Sequence, residues 1–247
     1  MPTSTIYFTS QGRVAKSTGG TPFNSWAAVR GNNTTIGSSV GTGTSDQFGC
    51  RMTAARGGSV LTENNRAYFY FNLSSIGTTI TAMEFKVRGG NNSANLNGDW
   101  TVARANGDDD FGTIATSDYP LVWNSSATLT SYGAQQNSWS GNADNTIDLN
   151  ATAITNANNN NELCICLMNY TYDYNNGSVE ESFGNIYNSL NFVTSGTTRA
   201  RLIIDHAAPT QYPNKVNGII PALLQKINGE QVVVGGSQNV EKVNGRS

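Results

Sequence analysis

Arg66-Ala67-Tyr68-Phe69-Tyr70-Phe71-Asn72-Leu73 is the stretch whose reading decides the fold. Successive side chains of a strand point to opposite faces, so Tyr68 and Tyr70 lie on one side and Phe69 and Phe71 on the other. Large aromatic groups on both sides need cover on both sides. This pattern predicts the central strand of a β-sandwich.

The neighbouring segments support that reading. Met83, Phe85 and Val87 alternate with Glu84, Lys86 and Arg88, which predicts a strand with one wet face. Glu162-Leu163-Cys164-Ile165-Cys166-Leu167-Met168 reads as a strand apolar on both faces, with Leu163, Ile165 and Leu167 on one side and Cys164, Cys166 and Met168 on the other. Ser4–Phe8, Trp100–Arg104, Thr146–Leu149 and Arg199–Ile204 are further strand candidates. Gly, Asn and Asp clusters separate these runs, as at Gly89-Gly90-Asn91-Asn92 and Asn175-Asn176-Gly177. One helix is expected, around Ala151–Ala157. Together these signals predict an all-β protein: an antiparallel sandwich or jelly roll over residues 1–205, with a linker and C-terminal arm over 206–247. Thr34–Gly49, almost free of large apolar residues, is expected to be a long loop or extended segment that binds something or packs on a neighbour.

Composition agrees and narrows the function. Of 247 residues only 13% are charged, and 32 Asn, 27 Thr, 23 Ser and 26 Gly carry the polarity. Such side chains favour turns and strands over helix interiors. A net charge of −2 without a block of like charges argues against a nucleic-acid partner. No apolar run approaches the roughly 20 residues of a membrane-spanning helix, so no membrane association is expected. Met1-Pro2-Thr3-Ser4-Thr5 lacks the pattern of a secretory signal, which predicts action where the chain is made or export as part of an assembly.

Candidate chemical sites are few. Cys50, Cys164 and Cys166 cannot all pair with one another, and Cys164 and Cys166, with no partner Cys-x-x-Cys or histidines nearby, read as two small core residues rather than a thiolate metal pair; the lack of a disulfide framework agrees with assembly in a reducing cytoplasm. His206 follows Asp205 directly. Adjacent strand residues face opposite ways, so that acid is badly placed to orient the ring, and a surface position near the linker is expected. Asp108-Asp109-Asp110 with Asp99 and Asp118 could offer oxygen ligands to calcium, but the spacing is not that of an EF-hand. Paired acids for glycoside cleavage could come from distant strands. The reading is therefore no catalytic residues, no metal and no cofactor. For sugar binding the candidates are Trp123, Trp139, Tyr119 and Tyr132 in the loop-like stretch 117–141, and Tyr170 and Tyr172, which with Tyr174 would share a strand face. Burial of both tryptophans in the core would remove that platform.

The segment after His206 differs in kind. Ala207–Pro213 reads as a linker. A motif then recurs as Lys215-Val216-Asn217-Gly218, Lys226-Ile227-Asn228-Gly229 and Lys242-Val243-Asn244-Gly245, with apolar residues such as Leu223 and Leu224 between the copies. Asn-Gly favours tight type I′ turns. About 40 residues rarely bury such groups alone, which points to an arm packed on another subunit. The repeats resemble the C-terminal segments of virion proteins of tailed bacteriophages, often among tail genes. In the body, Tyr68–Ile76 with Ile80–Phe85, and Asn145–Ile154, resemble the paired strands and later strand-to-helix segment of jelly-roll modules on bacterial surface and polysaccharide-degrading proteins, some of which bind carbohydrate.

These resemblances imply a non-enzymatic structural protein of a tailed phage particle, assembled in the host cytoplasm and partnered by other virion proteins. A tail or fibre position is expected, with a capsid decoration or head fibre as the alternative, and a homotrimer by analogy with fibres. The two rival classes are a carbohydrate-binding module for host-surface glycans and a glycan hydrolase or lyase.

Overall fold

The computed structural model describes residues 1–20, 26–43, 45–54, 60–90, 93–94, 98–105, 114–124, 126–177 and 186–208. Their strands are β1 Thr3–Tyr7, β2 Ser10–Gly20, β3 Ser39–Gly41, β4 Ser45–Ala54, β5 Val60–Asn72, β6 Ile80–Arg88, β7 Ser93–Ala94, β8 Trp100–Arg104, β9 Asp144–Asp148, β10 Glu162–Asn169, β11 Ile186–Val193 and β12 Arg201–His206. Every strand pairing is antiparallel. A four-stranded sheet, ordered β1-β12-β6-β9, faces an eight-stranded one in which β3-β2-β5-β4-β11-β7 is continued from β5 through β10 to β8. The protein is an antiparallel β-sandwich.

Strand β5 is its centre, as its sequence implies. β2 pairs with it from Val60 to Tyr70. The opposite edge is shared: β4 takes Val60–Asn65 and β10 takes Ala67–Asn72. Phe69 and Phe71 enter the main core between the sheets with Phe85, Val87, Ile147, Leu202 and Ile204. Tyr68 and Tyr70 enter a second apolar cluster on the other face, with Cys164, Cys166, Met168, Tyr119 and Trp123. The two-sided β10 divides as its alternation predicts, Leu163, Ile165 and Leu167 joining the main core.

Both flanks of the sandwich are closed by the chain itself. β1 pairs with β12 in the small sheet and runs through Phe8 and Thr9 into β2 of the large sheet. On the other flank, residues 130–136 form a strap. Tyr132 N–H donates to Val102 O at 2.9 Å on β8, and Asn150 N–H donates to Tyr132 O at 2.8 Å just beyond β9. Gly133 sits where these lines meet, and a Cβ there would lie 2.4 Å from Ile147 Cδ1.

Helix α2, Ala151–Asn160, is three residues longer than expected at its C-terminal end. Asn150 caps its start by accepting the Ala153 N–H at 3.1 Å, and Asn161 ends it in the left-handed region with φ 55°. It is not the single helical element. Helix α1 spans Trp26–Arg30, a 3₁₀ turn spans Thr116–Val122, and a π turn spans Tyr170–Tyr174. Thr34–Gly49 takes the extended of its two expected forms in part, for it contains β3 and the start of β4, with Phe48 wholly buried. Pairing with β2, β5 and β11 makes strands of these polar residues.

Strand β12 continues through His206, and Ala207 N–H donates to Thr79 O at 2.8 Å. The compact body runs from Met1 to Ala207, and Ala208–Ser247 forms a second unit. The repeats at 215–218, 226–229 and 242–245 lie outside the described residues. Among the described residues no helix is long and apolar enough to cross a membrane.

Candidate functional site

The most heavily built polar cluster lies on the second face of β5. Arg66 stands at the fork where β4 leaves off and β10 begins, and its side chain is fully buried. Its Nε and Nη2 donate to the two carboxylate oxygens of Asp173 at 2.8 and 2.7 Å. Its remaining donors reach Tyr119 O at 3.0 Å and Arg30 O at 2.9 Å. Arg30 Nε donates to Asp173 O at 2.6 Å, and the Arg30 guanidinium lies 4.6 Å from the centre of the Trp123 ring. Tyr68 OH donates to Tyr119 O, Asn64 Nδ2 to Tyr119 OH, and Tyr119 OH to Val29 O. Trp26 Nε1 donates to Tyr172 O at 3.1 Å.

These bonds tie three segments, α1, the 3₁₀ turn and the π turn, onto one face of the sheet. Two guanidinium groups meet one carboxylate, and backbone carbonyls with the faces of Tyr119 and Trp123 hold the excess positive charge. Burial alone would push Arg66 down, but the adjacent Asp173 keeps it well above its ordinary value. Burial likewise raises the Tyr68 and Tyr119 hydroxyls. Asp173 is wholly buried with both oxygens on Arg66, so this cluster is a clamp that cannot reach a substrate.

Four of the six aromatic residues expected to form a sugar platform are buried. Trp123 and Trp139 are only 8% and 9% exposed, while Tyr119 and Tyr132 are almost completely buried. Trp139 stands edge-on to Trp100 and Phe48 in the main core, with ring centres 5.4 and 5.0 Å apart. The burial gain of large aromatics outweighs the polar setting that suggested exposure. Tyr170 and Tyr172 are partly exposed, but they lie on the π turn and not on a strand. There Tyr170 stacks on Tyr174 with ring centres 5.5 Å apart.

His206 is a second correction. It is 7% exposed and pinned inside the body: Nε2 is 3.0 Å from Ser4 Oγ, and Nδ1 is 3.0 Å from Thr78 Oγ1 and from Ala207 O. Asp205 faces away and accepts from Thr3 Oγ1 at 2.7 Å. Of the acids considered for calcium, Asp108, Asp109 and Asp110 lie outside the described residues. Asp99 is buried and accepts from Asn169 Nδ2, Thr171 N–H and Thr171 Oγ1. Asp118 accepts from Ala115 N–H at 2.7 Å at the start of the 3₁₀ turn.

All three cysteines are free and buried, Cys164 and Cys166 as their setting in the sequence implies, and burial pushes the thiols of Cys50 and Cys166 up. Native protein is therefore expected to leave Ellman's reagent unreacted at mildly alkaline pH and to release all three thiols in denaturant. A fast-reacting equivalent in the native state would contradict this.

A different polar feature lies at the start of β4, within the Thr34–Gly49 stretch expected to bind something or pack on a neighbour. A groove of about 280 Å³ is lined by Arg13, Ser45, Asp46, Gln47 and Asn191. Asp46 Oδ1 lies 2.8 Å from Arg13 Nε and accepts from Gln47 N–H at 2.9 Å. Arg13 Nη1 donates to Asn65 Oδ1 at 2.7 Å and lies 3.7 Å from Glu63 Oε1. Asp46 Oδ2 is buried and has no hydrogen-bond partner among the described residues. These positions come from β2, β4 and β11, and no local motif connects them. No protein family matches this chain, and no curated protein matches it.

Proposed function

We propose that the chain is a non-enzymatic structural protein of a tailed bacteriophage particle, with a jelly-roll-type body held to neighbouring virion proteins by its C-terminal residues. The reading rests above all on the three Lys-(Val/Ile)-Asn-Gly copies, all of which fall beyond Ala207, where the compact body ends. The use of the strongest buried polar cluster to fasten the body's own segments supports a role in construction over one in turnover. A chain with only 13% charged residues fits protein contacts, whose cores are depleted of charge. Within the particle the tail or a fibre is the favoured position and a capsid decoration or head fibre the second, with three copies per assembly by analogy with fibres.

Deleting residues 208–247 tests this. The cut leaves β12 and the Ala207–Thr79 bond in place, so the truncated body is expected to melt close to the full chain. Purified particles from a host supplying only the truncated chain are expected to lack it on immunoblots. Incorporation at the normal copy number would overturn the docking role of this segment.

A further inference from the structure

We propose that the outer face of the four-stranded sheet is a self-complementary docking surface, on which a second copy of this chain pairs about a two-fold axis. The two sheets of the body are finished differently. The back of the large sheet carries the second apolar cluster, with α1, the 3₁₀ turn and the π turn fastened over it. Among the described residues the back of the small sheet lies open: Thr3, Thr5, Ala82, Asp144 and Asp148 are all exposed.

Its charges are sorted by sign. Phe85, Ile147 and Leu202 point into the main core, so their neighbours Glu84, Lys86, Asp148 and Arg201 point outward. The register sets Glu84 directly opposite Asp148 on β9, and Lys86 directly opposite Arg201 on β12. One row across the strands is therefore acidic, and the next is basic. Asp205 extends the acidic end, and Arg88 extends the basic end, where Asp144 accepts from Arg201. Like charges directly opposite one another on a sheet are destabilising. A layout that served the fold alone would alternate signs across the strands. Lys86 Nζ reaches Glu84 Oε1 at 2.6 Å along its own strand, yet both side chains remain 29% exposed and open to a further partner.

The symmetry of this pattern selects the partner. A second copy can be laid face to face about a two-fold axis that runs across the strands, between the two rows. Each acidic row then lies over the other copy's basic row, with Glu84 against Lys86 and Lys86 against Glu84 along β6. A two-fold axis parallel to the strands would set each row on its own kind, so the charges favour the first arrangement. An anionic partner would meet the Glu84–Asp148 row and a cationic one the Lys86–Arg201 row, so the face suits neither. Four strands about 4.8 Å apart, with about 3.3 Å of rise per residue over Ala82–Arg88, give roughly 450 Å² per copy. That is the low end for specific contacts, so the pairing is weak in dilute solution and fits copies already held close in an assembly. It links copies two by two and is separate from any threefold arrangement.

The test uses the full chain, although the contact belongs to the body and draws on no residue after Ala207. Sedimentation equilibrium at millimolar concentration is expected to show reversible pairing. Raising the salt from about 0.1 M to about 1 M shortens the Debye length from about 10 Å to about 3 Å and should weaken the pairing at least ~10-fold. Glu84→Lys and Lys86→Glu each set like charges against one another across the axis. Each should weaken self-association at least ~10-fold while melting within a few degrees of the unchanged chain. An equimolar mixture of the two variants restores opposite charges across the axis and should associate again, one variant with the other. A face that is merely solvated predicts no such rescue. A wild-type chain that stays monomeric, association undiminished in either variant, or a mixture no better than the variants alone overturns the proposal.

Discussion

Arg66→Ala is expected to lower the stability of the body by roughly 3–5 kcal/mol, because it strands a buried carboxylate. Asp173 would keep only Arg30, whose Nε is 4.0 Å from Oδ1, as a charged neighbour. Tyr119 O and Arg30 O would lose donors in the same step. For a domain of this size the change should appear as a fall in melting temperature of about 6–20 °C. Equilibrium urea denaturation would measure it, and a cost below about 1 kcal/mol would show that the clamp is not structural. The double variant Arg66→Met with Asp173→Leu is expected to recover much of the loss, because removing both charges removes the desolvation cost.

Phe69→Ala should be about as damaging for a different reason. Its ring centre lies 5.5 Å from that of Phe85 in the opposite sheet, 5.6 Å from Phe192 and 5.9 Å from Phe8. Truncation removes the transfer free energy of a wholly buried ring and leaves a cavity that three aromatic neighbours cannot easily fill. The expected loss is about 3–5 kcal/mol. Phe69→Leu should cost clearly less, since it keeps most of the volume. If the two substitutions proved equal and small, Phe69 would not be the contact between the sheets.

What was legible in the residues, and what was not, divides along physical lines. β5 and β10 announce themselves because a strand covered on both faces must carry large or apolar groups at every position. β6 does so because one face is wet. By contrast, β2 is Ser10-Gln11-Gly12-Arg13-Val14-Ala15-Lys16-Ser17-Thr18-Gly19-Gly20, with hardly an apolar side chain. Its strand character comes from an unbroken pairing with β5. β4 and β11 likewise owe their form to each other. The two tryptophans among the sugar candidates are buried for the converse reason. Trp123 and Trp139 sit among Asn, Ser and Gly, which mark turns in the chain but do not prevent a ring from folding inward. Neither the Arg66–Asp173 clamp nor the Arg13–Asp46 groove has a local signature. The first joins residues 107 positions apart, and the second combines three strands. An isolated arginine within an aromatic run was the one available hint, since such a residue needs a buried partner.

The position of β12 has a mechanical consequence. It lies between β1 and β6, its last residue is held by Ser4 and Thr78, and the chain leaves the body immediately after it. Tension applied through the residues that follow would pull β12 along its own axis, against two ladders of hydrogen bonds that lie across the direction of force. Those bonds would have to break together, in shear, rather than open one after another. Load entering through the end of β12 would thus fall on a strand paired along both edges, and the amino end, beside it in β1, would share the strain.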